Sequence, residues 1–304
     1  MSVGISFIST GGHKMVRALR SLRRAEPNLP VYIVLDTSSM TWKSDRDNNP
    51  SLFQRQPNVQ VRTIQNNAHI NGALNKAVEW MKELKYDYVC LFHDDIVFSS
   101  LEEHRGHISE WLKRLESDSR LQNASALTFS LMESFVPNKV PGHWHRHSSE
   151  WDTIDLESKS LWETLCPNGK PAGHFDSGGN PTHEVHFDTW FVRYYTSETV
   201  HPYIRLGPTG QIIPVRIWDE VGGFDEQFGI HYDSQYPAEC AIRNLPPILV
   251  IPNIPHLHLH NQSIGYADPA VGLWGDVSGA FTRKYGKDIE TFWKEKKDWQ
   301  WQIS

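Results

Sequence analysis

The stretch that most limits what this chain can fold into runs Tyr86-Asp87-Tyr88-Val89-Cys90-Leu91-Phe92-His93-Asp94-Asp95-Ile96-Val97-Phe98. Its aromatic and β-branched opening reads as a buried strand. Two adjacent carboxylates, Asp94 and Asp95, then stand at the strand's C-terminal end, and an apolar segment resumes at Ile96. Ionised carboxylates beside apolar chain are costly unless a basic side chain, solvent or a bound cation compensates them. In open α/β sheets ligands collect at the carboxyl ends of strands. The pair therefore marks a candidate metal and ligand site, with a solvated turn as the plainer alternative.

The residues before it supply the frame. Val3 to Ser9 reads as a first strand, followed by the turn Thr10-Gly11-Gly12-His13. Met15, Leu19 and Leu22 recur at helical spacing, and Pro27 and Pro30 end that helix. Val31 to Leu35 is a second strand, so a right-handed parallel crossover is expected. It ends in Asp36, placed where a carboxylate accepts hydrogen bonds from a ribose or base; a turn or N-cap role is the alternative. Residues Thr41 to Pro57 are polar and read as a loop. Val59 to Ile64 is a third strand, and Ala73 to Leu84 a helix with Leu74, Val78 and Met81 on one face. This alternation predicts a doubly wound α/β sheet.

Beyond it, His104 to Leu121 reads as one amphipathic helix and Ala124 to Met132 as one strand. Glu133 to Arg205 is irregular and rich in Pro, Gly, His and Trp, with Thr189 to Tyr195 as an internal strand. Ile212 to Ile217 is largely apolar, Ala238 to Arg243 helical, and Ile248 to Ile251 a strand. The tail, Gly279 to Trp301, reads as a basic, aromatic helix on the outside. One structural domain in three parts is expected, with boundaries at 1–130, 131–206 and 207–304.

Composition excludes several classes. A chain of 304 residues with 39% hydrophobic content can bury a large core. Its net charge of -6 and lack of a long basic run give no support for broad binding to a phosphate backbone. The three cysteines, Cys90, Cys166 and Cys240, are far apart and odd in number, which fits a reducing cytosol better than a disulfide framework. No signal-peptide pattern opens the chain, and no apolar run approaches the ~20 residues of a membrane span. A cytoplasmic protein is expected. GxSxG, the P-loop and GxGxxG after the first strand are all absent.

Two remote segments supply partners for Asp94-Asp95. His256, His258 and His260 alternate, so in an extended chain they share a face. Imidazole with carboxylate suits manganese, carboxylate with phosphate suits magnesium, and three histidines alone suit zinc. The second segment is His231-Tyr232-Asp233, where Asp233 is a candidate general base for an acceptor hydroxyl. Asp225 and Glu226 compete for that role.

In this order the features resemble the inverting family 2 glycosyltransferases of the GT-A fold. Val31 to Ser39 looks like that family's strand ending in an Asp that meets the base. Asn67-Ala68-His69-Ile70-Asn71-Gly72-Ala73-Leu74-Asn75 resembles its turn into a helix. Phe92-His93-Asp94-Asp95 takes the place of the DxD motif, with His93 where the first Asp is usual. Gln211 to Phe228, through Gly222-Gly223-Phe224-Asp225-Glu226, is similar to its acceptor-side segment. His258, with Ser263 five residues on, matches its late metal-site His, and Phe281 to Gly286 is like the tail of many members. The likeness covers roughly residues 1–130 and 207–286 and leaves out 133–205. The family's Glu-Asp pair after the glycine turn is not intact. Tyr232-Asp233-Ser234 stands nearby, and Glu239-Cys240-Ala241-Ile242-Arg243 resembles the residues that normally come after that pair.

The resemblance implies a Rossmann-like GT-A mixed sheet flanked by helices, with an irregular insertion. It implies a metal-dependent hexosyl- or pentosyltransferase that moves a sugar from a nucleotide-sugar, a UDP-sugar first, to a hydroxyl on a carbohydrate or other acceptor, with inversion. Mn2+ or Mg2+ would be held by Asp95 and His258. The donor would be contacted by Thr10, Asp36, Asn67, Asn75 and Asp94. Asp233 would be the base, with Glu226 and then Glu239 behind it. The insertion would form an acceptor wall, with Trp144, Trp151, Trp162 or Trp190 for stacking. Two rivals remain: transfer to a hydroxymethylated base in viral DNA, and a non-catalytic carbohydrate-binding protein.

Overall fold

The computed structural model describes residues 1–37, 53–64, 70–135, 151, 153–171, 183–195, 199–203, 206–207, 210–228, 232–252, 254–259 and 277–299. The first strands fall where apolar runs placed them: β1 (Val3–Ser9), β2 (Val31–Asp36), β3 (Val59–Ile64) and β4 (Tyr88–His93). β5 (Ile96–Phe98) comes directly after Asp94-Asp95. Then come β6 (Ala126–Phe129), β7 (Leu131–Phe135), β8 (His183–His186), β9 (Phe191–Tyr195), β10 (His201–Tyr203), β11 (Gln211–Pro214), β12 (Ile248–Ile251) and β13 (His256–Leu259).

These strands form two sheets. The larger has the order β10-β12-β6-β11-β4-β1-β2-β3. β3, β2, β1 and β4 run parallel, while β11 lies antiparallel between β4 and β6. The smaller has the order β5-β13-β7-β9-β8. Three pairs of consecutive strands leave the first sheet and enter the second: β4 to β5, β6 to β7, and β12 to β13. Asp94 and Asp95 occupy the first of these crossings.

Helices cover both faces of the larger sheet. On one face, α1 (Gly12–Ala25) buries Met15, Ala18, Leu19 and Leu22 against Ile5, Phe7, Ile33 and Phe92. On the other, α2 (Ile70–Glu83) packs Leu74, Ala77, Val78 and Met81 against Ile8, Val34, Val89 and Leu91.

The structure corrects the expected single helix from His104 to Leu121. A 3-10 turn at Glu102–His104 is followed by Gly106 in the left-handed region (φ 79°), then α3 (His107–Ser117) and α4 (Ser119–Asn123). Asp118 is extended and caps α4 by accepting from Arg120 N at 3.0 Å, so the apolar periodicity continues across a break. The N-terminus of α3 is closed from outside. Buried Glu26 accepts from Ile108 N (2.8 Å), Ser109 N (3.1 Å) and Ser109 Oγ (2.6 Å).

The expected strand from Ala124 to Met132 is likewise two strands, parted at Ser130, because β6 bonds β12 in one sheet and β7 bonds β13 in the other. After α5 (Lys159–Leu165) in the insertion, the apolar run at Ile212 divides into β11 and α6 (Val215–Val221), and α7 (Tyr232–Ile242) comes next. The tail is two helices, α8 (Val277–Tyr285) and α9 (Ile289–Glu295), parted at Gly286 (φ 71°). It packs on the outside, with most of its described side chains exposed or half-buried, and is anchored inward at three positions. Phe281, Phe292 and Trp299 enter the core, and Trp299 Nε1 donates to Leu245 O at 2.8 Å.

The expected tryptophan wall is also corrected. Trp151, Trp162 and Trp190 are buried with Leu156, Leu165, Val192 and Tyr194 in a separate core. Trp162 Nε1 donates to Leu156 O at 2.9 Å, and Trp190 stacks on Phe187 (4.3 Å between centroids, 11° between planes). These rings hold the insertion together. Trp144 lies outside the described residues.

Two asparagines one turn apart on α2 grip the glycine turn. Asn75 Nδ2 donates to Phe224 O at 2.8 Å while its Oδ1 accepts from Phe224 N at 2.9 Å. Asn71 Nδ2 donates to Asp225 O at 2.8 Å. Gly222 and Gly223 both adopt positive φ, 87° and 81°, and a Cβ on Gly223 would stand 3.0 Å from Trp218. Asn75→Ala leaves one backbone donor and one acceptor of Phe224 unpaired, at a cost of about 2–4 kcal/mol. Thermal melts of this variant should show a midpoint lower by about 5 °C or more. Asn75→Asp keeps the acceptor but sets a second carboxylate oxygen against Phe224 O in place of the donor, so it should lose at least as much; a native midpoint in either variant would refute the two-bond account.

Candidate active site

The site begins at the carboxyl edge of three adjacent parallel strands. Ile8 of β1 is in register with His93 of β4, and Ser9 with Leu35 of β2. Ser9-Thr10, Asp36 and Asp94-Asp95 therefore end side by side. The turn into α1 receives Asp94. Its Oδ2 accepts from Ser9 Oγ at 2.7 Å and from Thr10 N at 3.3 Å, while Ser9 Oγ accepts from Gly11 N at 2.7 Å. Gly11 takes φ 93° and ψ -160°, a combination suited to glycine. Asp36, on the neighbouring strand, is buried.

Asp95 is held by a strand from the other end of the chain. Its carbonyl accepts from Leu259 N at 2.7 Å, and β13 runs antiparallel to β5 with His258 opposite Ile96. His258 Nε2 stands 3.5 Å from Asp95 Oδ2. On its other edge His258 is in parallel register with Glu133 of β7, and its Nδ1 stands 3.5 Å from Glu133 Oε1. Ser134 Oγ donates to His258 O at 2.8 Å, fixing the backbone. Asp95 Oδ1 is buried and has no hydrogen-bond partner among the described residues.

The electrostatics come from this nesting. Burial alone would lower the His258 pKa, but Asp95 first and Glu133 next outweigh it and push the imidazole up to about 9. Burial alone would raise the Asp95 carboxyl; His258, and more weakly His93 and Lys14, hold it well below the usual range. His256 behaves differently. It packs between Phe98 and Phe129, its Nδ1 meets Ile254 O at 2.8 Å, and burial pushes it down to about 4, leaving a neutral core histidine.

A second group closes the site from α7. Tyr232 Oη is 3.2 Å from His93 Nε2, and the phenol also bonds the Gln211 side chain. Burial raises the Tyr232 pKa, and the charges of Asp233 and Asp95 both add to the rise. One buried phenol thus feels the candidate base from one side and the candidate metal ligand from the other. Asp233 is half-buried in the first turn of α7.

The structure accordingly brings Thr10, Asp36, Asp94, Asp95 and His258 to one region, with Asp233 next in the chain to Tyr232, whose phenol meets His93. It does not bring Asn75, whose amide is engaged at both ends by Phe224. It does not bring Glu226 either. That residue is exposed, because its 3-10 turn directs Phe228 into the core, and its charge acts on Lys76. Asp225 accepts from Gln227 N at 2.9 Å and pairs with Lys284 at 2.7 Å. Glu239 is held by Lys284 at 3.0 Å, by Tyr285 Oη at 2.9 Å and by Arg243. Both therefore serve the packing of the tail. Asn67, His231 and His260 lie outside the described residues. Ser9, Glu133, Tyr232 and Gln211 are site residues that the sequence alone did not assign. For Glu133 the available sign was an acid inside the apolar alternation of residues 131–135.

Among the described residues no three His, Cys, Asp or Glu side chains are grouped to hold a metal ion. His258 lies between two carboxylates as their counter-charge. The donor set still fits a divalent cation of the manganese type, since Asp95 Oδ1 is a buried oxygen that nothing described satisfies, beside an imidazole. No described helix is long and apolar enough to cross a membrane.

The two-sheet arrangement with its carboxyl-edge site is the GT-A fold. The chain is similar to S. aureus TarS 1-349 in complex with UDP-GlcNAc, with TM-score 0.51 and 12% identity over 100% of this chain and 74% of that one. It is similar to GalNAc-T7 with UDP, GalNAc and Mn2+, with TM-score 0.55 and 11% identity over 98% and 50%. A larger S. aureus TarS structure gives TM-score 0.52 and 11% identity over 100% and 44%. The chain thus spans from under half to about three quarters of these neighbours' lengths. No family model and no curated protein matches the sequence.

The Asp95–His258 pair sets a pH dependence. An unfolded histidine releases its proton near pH ~6.5. The stabilisation from His258 is therefore full below about pH 6.5 and lost as pH rises through about 9. Asp95 contributes above about pH 3.9, its unfolded value, and loses that contribution as pH falls through its lowered pKa. In metal-free buffer the native chain should lose stability relative to His258→Asn between these alkaline limits, by up to about 1.4 kcal/mol per pH unit. Parallel urea-melt curves for the two proteins would refute this.

Proposed function

We propose that this chain is a metal-dependent glycosyltransferase that moves a hexosyl or pentosyl group from a nucleotide-sugar, a UDP-sugar first, to an acceptor hydroxyl with inversion. The observation that carries the reading is the buried, unsatisfied Asp95 Oδ1 beside His258, at the edge where β1, β2 and β4 end. The neighbours in fold support it, since one is complexed with UDP-GlcNAc and another with UDP, GalNAc and Mn2+.

In this reading Asp36 accepts from the base or ribose, and the Thr10 turn and Asp94 face the donor's sugar or ribose side. Asp95 and His258 would hold Mn2+ or Mg2+, which supplies positive charge to the leaving diphosphate. Glu133 and Ser134 keep the His258 ring and backbone in place. Asp233 takes the proton of the acceptor hydroxyl, which then attacks the anomeric carbon from the face opposite the leaving group. Neutral Tyr232, buried against His93, keeps bulk water from that side.

The test is a thermal-shift series with UDP, GDP, CDP, ADP and TDP, each with and without Mn2+. At least one should raise the midpoint only when the ion is present, reflecting the roughly 2.7 kcal/mol of stabilisation that ~100 times Kd supplies. Asp95→Ala should abolish that shift while keeping the unliganded melt cooperative. An undiminished manganese-dependent shift in Asp95→Ala would end the assignment.

Asp233 makes a separate prediction. Asp233→Asn should keep the nucleotide shift and lower turnover by about 10²–10⁴-fold. Transfer at the native rate would remove Asp233 as the base without touching the metal assignment.

A further inference from the structure

A second cavity lies away from the strand-end site, on the outer side of α1. It encloses about 430 Å³ and is lined by Val16, Leu19, Arg20, Arg23, Arg24, Phe53 and Gln56. That is within the roughly 300–1,000 Å³ of small-molecule sites. Helical spacing explains the lining. Val16, Arg20 and Arg24 form one stripe, Leu19 and Arg23 the next, and Phe53 closes the floor from the segment before β3. Val16 is 40% exposed, one of few large apolar side chains left uncovered among the described residues. At ~1.5 Å per residue, Arg23 lies about 16 Å along α1 from Gly12, so this is not the edge where Asp94 and Asp95 stand.

The charges in this cavity do not balance. Arg20 and Arg24 both reach the same carboxylate, Glu157, at 2.7 Å each. Arg23 meets only carbonyls: Leu29 O at 2.5 Å, Pro57 O at 3.0 Å and Asn58 O at 3.2 Å. Its Nε is buried without a hydrogen-bond partner among the described residues. Among those residues Glu157 is the one carboxylate within ion-pair distance of the three guanidiniums, which leaves two positive charges over. A partly buried guanidinium is normally matched by an anion. In a chain of net charge -6 this excess is local and has no general cause.

We propose that this cavity binds a small organic phosphate, the dianionic group on Arg20, Arg23 and Arg24 and a flat or apolar body on Val16, Leu19 and Phe53. A phosphate monoester carries nearly two negative charges at neutral pH, which equals the excess. Guanidinium forks match phosphate oxygens in pairs. Glu157 then acts as the resident competitor. The ligand must draw Arg20 and Arg24 from it, so occupancy is linked to the hold of the 151–171 segment on α1. This site is independent of the transferase reading.

The test titrates phenyl phosphate into the metal-free protein by calorimetry. Binding should be saturable. Glu157→Gln should tighten it by about tenfold, and the double variant Arg20→Gln, Arg24→Gln should weaken it by about tenfold or more, as expected for charge-assisted contacts. Inorganic phosphate should bind more weakly than phenyl phosphate, since it leaves the apolar floor unused. Asp95→Ala should leave binding unchanged, which separates this site from the donor site. No saturable binding would overturn the proposal, as would affinities in Glu157→Gln and the double variant equal to the native one. Capture by phosphatidic acid vesicles with no binding of phenyl phosphate would overturn it in favour of a membrane surface.

Discussion

The arrangement depends on one line where two sheets meet. β4, β6 and β12 each end on it and continue as β5, β7 and β13 in the second sheet. A backbone that changes sheet leaves its ladder for a residue or two, and the polar groups freed there need other partners. At the first crossing Asp94 and Asp95 fill the gap. Asp94 turns towards β1 and is taken up by Ser9 and Thr10. Asp95 turns towards the second sheet, and its carbonyl receives Leu259 N. Two buried carboxylates are tolerable because Ser9 and Thr10 donate to Asp94 and the His258 imidazole stands 3.5 Å from Asp95 Oδ2 as its counter-charge.

The glycine turn and the tail are held by contacts away from the site. Asn71 and Asn75 hold the backbone of the glycine turn, and Lys284 joins Asp225 to Glu239. Glu239 shows how much that arrangement demands. Burial alone would raise its pKa, and Lys284, Tyr285 and Arg243 together hold it below the usual value. With turn, tail and α7 locked in this way, Tyr232 and Asp233 are presented to the strand edge from a rigid base. Positions that resemble functional ones in sequence, Asp225 and Asn75, supply that rigidity.

Local chemistry explains which parts were legible. Strands β1, β2 and β4 were readable as short apolar runs buried on both faces, and helices α1 and α2 because each buries one face and shows its period. Residue chemistry offered the alternating His256, His258 and His260 as partners for Asp94-Asp95, and the family likeness singled out His258, since no local rule pairs residues so far apart. Glu133 was missed because its role comes from the parallel register of β7 with β13, a tertiary fact. The break at Ser130 and the division of the tail at Gly286 were missed because apolar patterning continues across both. The tryptophans were misjudged because composition does not say which face of an insertion is covered.

The second sheet also explains how so much charge is carried beside a core. Cross-strand register places His258 next to Glu133, Glu133 next to Arg193 and Arg193 next to Glu184. Starting from Asp95, the sign alternates at every step. Arg193 pairs with Glu184 at 2.6 Å and lies over the Phe135 and Phe191 rings at 5.0 and 5.2 Å. Opposite charges on neighbouring strands are favourable, and like charges there are not. Buried pairs of this kind add little net stability, because desolvation offsets attraction. What they do supply is register. A slip of β13 by one residue would turn His258 to the other face and take its charge from both Asp95 and Glu133, at about 3–5 kcal/mol for a broken buried pair, a large share of the marginal stability of a domain. The same alternation that makes the site tolerable in a core thus fixes which imidazole meets Asp95.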